Sequence, residues 1–205
     1  MNTKTWPRDI AVAIAFLTAL MWSTALSGCR QSGAAASDHI GQPLTADQEK
    51  TVEDAVAKMT SSGLVDDGKL GKDLLARHII KAARPDDQYM AYSEKSGDTP
   101  YAYTLSAGKT PSAIVLADRF FTQTTQTGRA ALLVHEFGHY RAYVATGRSD
   151  EVDGYKAEYD KHAKLGLTDA DGLVYFSMLD GVVQYVVPKY PAYKNYPDVN
   201  KYINQ

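Results

Sequence analysis

Two histidines and a glutamate interrupt an otherwise apolar stretch, LLVHEFGHYRAYVA, at residues 132–145. His135 and His139 are four residues apart, so on a helix they lie one turn apart and about 40° from each other on one face. Two imidazoles at that spacing can bind one tetrahedral metal ion. Glu136 is turned about 100° around the axis from His135. There it would not bind the metal, but it could accept a proton from a water molecule that the metal holds.

The apolar residues around the motif predict the helix that this chemistry needs. A buried helix is indicated by five apolar residues: Leu132, Leu133, Val134, Phe137 and Ala142. Gly138 costs about 1 kcal/mol in a helix relative to alanine, so its presence suggests that another element packs closely there. Zinc is the metal that this pattern favours, because bound zinc lowers the pKa of its water towards ~7 and a neighbouring glutamate can then act as general base.

HEFGH followed by a downstream glutamate resembles the zincin metallopeptidases, in the branch whose third zinc ligand is a glutamate. The resemblance covers roughly residues 110–165. It implies an α+β, zincin-like fold, in which a small three-stranded sheet packs on the zinc-binding helix and a helical lobe follows at the C-terminus. In such enzymes an edge strand just before the zinc helix binds the substrate backbone. Ala113 to Ala117 is the candidate for that strand.

Two glutamates compete for the place of third ligand. Glu151 begins EVDGY, which resembles the third-ligand pattern of many zincins, and Gly154 would let two helices approach. Glu158 follows His139 by nineteen residues, and a hairpin that turns near Arg148 would bring it level with the motif. Because the two glutamates share a helix face, the one that does not bind metal can support the site. We slightly prefer Glu151 and keep both open.

The remaining elements follow from periodicity and from helix caps. Thr45 and Gln48 form a capping-box pair at the start of a helix, and Asp150 is placed to cap a helix from Glu151 to Leu165 that Gly166 ends. Further helices are expected from Leu70 to Ala83, after Asp118 with a break near Gly128, and from Asp171 to Val187 before Pro188. Strands are expected at Tyr89 to Ser93, Tyr101 to Leu105 and Ala113 to Ala117.

The first residues indicate an exported lipoprotein. A basic start, an apolar stretch from Ile10 to Trp22 and small residues before a cut are typical of a signal peptide over residues 1–28. The stretch is shorter than the roughly 20 residues of a spanning helix. LSGC, ending at Cys29, resembles the bacterial lipobox, and this only cysteine of the chain would carry the lipid. Residues 29–43 then form a flexible tether, and residues 44–205 form one zincin-like domain.

These features together predict a zinc-dependent metallopeptidase in the cell envelope, anchored by its lipid on the periplasmic side of the outer membrane. Peptides or proteins are the expected substrates, and a net charge of −2 gives no reason to expect nucleic acid. One alternative is a catalytically idle lipoprotein with a binding or structural role, and another is a hydrolase for a non-peptide substrate. Tyr155, Tyr159 and His162 are candidate donors to the oxyanion of the transition state, among which the sequence does not choose.

Overall fold

A computed structural model of the chain describes residues 41–87, 100–107 and 109–205. Helices and a small sheet alternate in the first half of this part, and helices follow in the second, so the fold is α+β. The elements are α1 Ala46–Ser61, α2 Val65–Ala76, β1 Ile80–Ala82, β2 Ala102–Ala107, β3 Thr110–Leu116, α3 Asp118–Thr122, α4 Gln126–Thr146, α5 Glu151–Leu165, α6 Leu173–Gly181, α7 Val187–Lys189 and α8 Pro197–Ile203. No helix of the described residues is both long enough and apolar enough to cross a membrane.

The sheet has three strands in the order β1-β3-β2. β3 is its central strand, parallel to β1 and antiparallel to β2. The predicted strand Ala113 to Ala117 is therefore present, but the expectation that it is an edge strand is wrong. Its alternate backbone groups are used on both sides: the N–H of Ile114 donates to Ile79 and that of Ala117 donates to Tyr101, both over 2.9 Å.

The first strand of the sheet corrects a second prediction. The helix expected from Leu70 to Ala83 ends at Ala76, and Ile80–Ala82 forms β1. His78, with a φ of 53°, lies in the turn between them, and an L-residue in the left-handed region cannot continue a helix. Gln42 pairs with the outer side of β1 at Ala82, so the folded part includes a residue that the predicted tether contained. Residues 1–40 and the strand predicted at Tyr89 to Ser93 lie outside the described residues.

Helix α4 lies at the centre of the described fold. It contacts α1, α2, β2, β3, α5 and α6, and its residues Leu133, Val134 and Phe137 have no exposed surface. The predicted break in this region occurs earlier than Gly128, at Gln123–Thr125, where Thr125 caps the new helix by accepting the N–H of Gly128 over 2.9 Å. Burial of the apolar side chains of α4 on both the sheet side and the α5 side fixes the position of its polar residues.

A buried carboxylate joins three helices. Asp67 on α2 is 3% exposed, and it accepts from Arg141 on α4 over 2.8 Å and from Lys161 on α5 over 2.9 Å. A buried charge with two cationic partners is compensated, whereas the same charge alone would be strongly destabilising. Asp67 therefore links α2 to the C-terminal part of α4 and to α5 through two ion pairs.

The segment predicted as one helix from Asp171 to Val187 is divided. Helix α6 ends at Gly181, and one π-helical turn, Val182–Val186, leads into α7. Pro188 lies inside α7 and does not close the segment as expected. The wider π turn rotates the residues after it relative to α6, and its Tyr185 stacks on Tyr155 of α5.

Candidate metal centre

Helices α4 and α5 form an antiparallel pair whose turn is specified by local sequence. Gly147 ends α4 in the left-handed conformation, with a φ of 81°. Asp150 then caps α5 in a capping box with Asp153, which satisfies backbone N–H groups that the first turn of a helix leaves free. The predicted cap at Asp150 and the predicted end at Gly166 are confirmed. The turn is short, so the start of α5 lies beside the second half of α4.

Two glycines allow the helices to cross closely. A Cβ atom at Gly138 would lie 2.9 Å from Cβ of Ala157 and would overlap the carbonyl oxygen of Asp153. A Cβ atom at Gly154 would lie 2.7 Å from both Cδ2 and Cε1 of His135 and closer still to Nε2. The His135 ring therefore occupies the space that a side chain at position 154 would fill. The close packing that Gly138 suggested is supplied by α5.

Three donor atoms converge at this crossing. Nε2 of His135 lies 3.1 Å from Nε2 of His139 and 3.6 Å from Oε2 of Glu151, and Nε2 of His139 lies 4.0 Å from the same oxygen. Ligands of a tetrahedral zinc ion with bonds of 2.0–2.1 Å lie about 3.3 Å apart. The three observed separations bracket that value. Among the described residues, one group of three or more histidine, cysteine or acidic side chains could hold a metal ion: His135, His139 and Glu151, called the donor group below.

The outer nitrogen of each histidine is held by a polar partner. Nδ1 of His135 lies 3.1 Å from Oε2 of Glu158. Nδ1 of His139 lies 2.9 Å from the hydroxyl of Ser149, which in turn donates to Asp153 over 2.9 Å. Because Nδ1 of each ring is occupied in this way, Nε2 is the nitrogen left to bind a metal ion. Glu158 therefore lies outside the donor group, on the far side of His135 from Glu151.

Glu136 lies beside the donor group and is held from the sheet. Its side chain is 4% exposed, and the hydroxyl of Thr104 on β2 donates to its Oε2 over 2.6 Å. Glu136 contributes no atom to the candidate ligand set, in keeping with the 100° that separates it from His135 around the helix. A carboxylate fixed next to a metal site, yet free of the metal, can accept a proton there.

The charges of the cluster favour a cation. Burial favours the neutral form of His135, but the carboxylates of Glu151 and Glu158 outweigh burial and raise its pKa to about 10. Glu151 is only partly buried; the loss of water opposes its charge, yet His135 and His139 lower the pKa of this carboxyl below its usual value. Burial raises the pKa of Glu158 despite its bond to His135, and burial lowers the pKa of His139. The carboxylates around His135 therefore favour a positive charge on its ring.

The three candidate oxyanion donors have different surroundings. The ring of Tyr155 meets the His135 ring edge to face at 4.5 Å and stacks on Tyr185 at 5.6 Å. Its hydroxyl pairs with Ser177, and burial raises its pKa. Tyr159 and His162 both bind Asp198 on α8, on the C-terminal side of α5. Tyr155 is thus the one candidate of the three that contacts a histidine of the donor group.

Sequence reasoning missed the residues that support the donor group from other elements. Thr104 lies on a strand that is distant in sequence, and no local pattern points from it to Glu136. Ser149 and Asp153 carry a weak signal, because Asp153 is three residues after the Asp150 cap and could have been predicted as its capping-box partner. Cys29 lies outside the described residues.

Fold and site together define a class of protein. The mixed α+β architecture, with a three-stranded sheet beside a helix that carries the HEFGH motif, is consistent with a zincin-like fold. The donor set suits zinc, since two imidazoles and a carboxylate are ligands that zinc takes and their separations fit tetrahedral coordination.

Comparison with known proteins agrees with that class. The family model of Peptidase family M48 matches residues 69–144. M48 metallopeptidases are typically zinc-dependent, so this part of the chain is similar to a zinc-dependent peptidase. The matched range contains His135, Glu136 and His139 but ends before α5. No curated protein and no solved structure matches the chain.

Proposed function

We propose that the protein is a zinc-dependent peptidase that acts in the cell envelope, with His135, His139 and Glu151 as zinc ligands. The observation that carries this proposal is the convergence of three donor atoms from two helices within 4.0 Å of one another. Glu151 is half-exposed, with 51% of its side chain accessible, so the donor group opens to solvent on the side of this ligand. A substrate can reach the site from that side.

Glu136 is the proposed general base. Zinc bound by the three ligands would polarise a peptide carbonyl and make a water molecule acidic enough to react near neutral pH. The carboxylate of Glu136 takes the proton of the attacking water and passes it to the nitrogen of the leaving amine. Thr104 orients this carboxylate, because its hydroxyl occupies Oε2 and leaves the other oxygen for the proton.

The outer edge of β2 is the proposed binding site for the substrate backbone. Tyr101 bonds to β3 through its carbonyl, so the alternation of an antiparallel ladder directs the backbone groups of Ala102 and Thr104 away from β3. Among the described residues, no strand pairs with that edge. An extended peptide added there would form main-chain hydrogen bonds next to Glu136. This assignment replaces Ala113 to Ala117, which the sequence favoured.

Zinc content and peptide cleavage together test the function. Detergent-solubilised full-length protein should contain about one zinc per chain by elemental analysis and should cleave members of a peptide library. Glu136→Gln should keep the zinc and lose cleavage, because an amide cannot accept the proton. A chelator should abolish cleavage in the wild type, and added zinc should restore it. Protein that takes up no zinc at neutral pH would rule out the proposal, and zinc-loaded protein that cleaves no peptide would indicate the idle alternative.

The anchor is a separate part of the proposal. LSGC resembles a lipobox, so we propose that Cys29 receives the lipid and retains the protein at the periplasmic face of the outer membrane. Cells fed a labelled fatty acid should transfer the label to the wild type and not to Cys29→Ser, which should also be lost from the membrane fraction. Equal labelling of both proteins would refute the lipid assignment and leave the zinc site unaffected.

A further inference from the structure

Glu158 is a buried acidic residue beside the donor group, and the proposed mechanism gives it no role. It is 2% exposed, and its Oε1 has no hydrogen-bond partner among the described residues, while Oε2 lies 3.1 Å from Nδ1 of His135. A half-satisfied buried carboxylate is costly. In a purely structural position, a packed apolar side chain of similar size would serve better. The contact with His135 is therefore the feature that explains a carboxylate at this position.

We propose that Glu158 is a positioning residue for metal binding: it accepts the Nδ1 proton of His135 and so presents Nε2 of that ring to the cation. The inference rests on the proposed zinc site. It assigns Glu158 a role different from the third-ligand role for which the sequence made it a candidate. A histidine whose outer nitrogen donates to a carboxylate is fixed in tautomer and orientation and is a more basic ligand.

The surroundings of His135 leave its ring one orientation. Gly154 lies against the Nε2 side, and the ring of Tyr155 packs edge to face at 4.5 Å. Glu158 comes from the same helix as both, one turn beyond Gly154. Because all three contacts come from α5, the packing of α5 on α4 sets the direction of Nε2 before any metal binds.

His139 provides an internal comparison. Its Nδ1 meets the hydroxyl of Ser149, and the carboxylate of Asp153 is one hydrogen bond further away. Asp153 also accepts the N–H of Asp150 over 3.1 Å, so part of its charge serves the helix cap. The two histidines are therefore supported unequally, and we expect His135 to depend on its partner more strongly than His139 does.

Two substitutions separate a positioning role from a structural one. Glu158→Gln keeps the volume and removes the charge, and Glu158→Leu removes both the charge and the acceptor. Zinc affinity is measured by competition with a chromophoric chelator, and the melting temperature is measured on metal-free protein. If Glu158 positions His135, zinc affinity falls about 10- to 100-fold, more for Leu than for Gln, while the metal-free melting temperature is unchanged or higher.

Asp67→Asn is the matched control, because Asp67 is also a buried carboxylate but pairs with Arg141 and Lys161, outside the donor group. It should lower the melting temperature and reduce zinc affinity less than either Glu158 substitution does, because Asp67 contacts neither histidine. Ser149→Ala should weaken zinc binding less than Glu158→Gln does. Glu158 variants that bind zinc as tightly as the wild type would overturn this inference alone. Wild-type protein that binds no zinc would overturn the proposed function and this inference with it.

A spectroscopic measurement on the wild type does not depend on the variants folding. Nitrogen-15 spectra of the zinc-loaded protein, labelled on histidine, report which ring nitrogen carries the proton. We expect Nδ1 of His135 to be protonated and Nε2 to be bound to zinc. A His135 ring that binds zinc through Nδ1 would refute the role of Glu158, because the two contacts would compete for one nitrogen.

Discussion

Replacement of Gly154 by alanine tests whether the donor group depends on close helix packing. The added Cβ would lie 2.7 Å from Cδ2 and Cε1 of His135, whereas carbon atoms in contact are about 3.5–4.0 Å apart. Either the imidazole or the helix backbone must therefore move by about 1 Å. Metal–ligand distances tolerate only about 0.2 Å. The displaced ring would then be unable to reach a zinc ion bound, as proposed, by His139 and Glu151.

The two possible adjustments have the same effect on zinc but different effects on stability. If the ring rotates away, the fold gains the better helix propensity of alanine, about 1 kcal/mol, and loses one of three protein ligands. If the helices separate, overpacking costs about 1–3 kcal/mol, and all three donor atoms spread apart. Loss of a residue that only supports a ligand lowers metal affinity by up to about 100-fold. Because a ligand itself is lost or displaced here, zinc affinity should fall by at least that factor in both cases.

The assay is chelator competition for zinc together with thermal unfolding of metal-free and zinc-loaded protein. Gly128→Ala is the control, since it lies on α4 away from the three candidate ligands, and its Cβ would meet Thr125 and Val174 at 3.3 Å, so these side chains must move by only a few tenths of an ångström. That variant should bind zinc as the wild type does. A folded Gly154→Ala protein with wild-type zinc affinity would refute the reasoning, because Nε2 of His135 could not then be a ligand at the observed crossing.

Three further predictions follow from the same contacts. Thr104→Val should lower kcat about tenfold with unchanged zinc affinity, because Glu136 loses the donor that orients it, and Thr104→Ser should restore activity; equal kcat values would contradict this role. Asp67→Asn should lower the free energy of unfolding in urea by about 1–3 kcal/mol, since Arg141 and Lys161 lose a charged partner; an unchanged midpoint would show that the cluster adds no stability. Free zinc at 100 times its Kd should raise the free energy of unfolding by about 2.7 kcal/mol, and a chelator should remove that gain; an unchanged melting temperature would mean that no ion binds the folded state.

Local sequence predicted the elements that local interactions determine. Thr45, Asp150 and Gly166 mark helix ends through contacts within a few residues, and the structure confirms all three. The helix that the sequence predicts over Ile80–Ala82 is wrong, because three residues are too few to show a periodicity and their pairing with β3 decides their conformation. The position of β3 at the centre of the sheet likewise depends on distant strands.

The site shows the same division. The spacing of His135 and His139 predicts that both face one point, since a single helix fixes their relation. The choice between Glu151 and Glu158 depends on how α5 crosses α4, and the contacts of Gly138 and Gly154 set that crossing. The hairpin does turn near Arg148, and it brings Glu158 beside the motif, as the sequence predicts. Ala157 and Asp153 contact Gly138, and Glu158 then reaches Nδ1 of His135 and not the three converging donor atoms.

Structure and comparison each supply a different half of the candidate active site. The match to Peptidase family M48 covers the helix with both histidines and Glu136, and it ends before α5. The half on α5 rests on geometry. Glu151 faces Nε2 of His135, Gly154 leaves room for the ring, and Glu158 contacts its Nδ1. These three positions lie on one helix, three and four residues apart, so they share a face. A change in the rotation or depth of α5 would displace all three together, which makes the α4–α5 crossing the feature on which the proposed zinc site most depends.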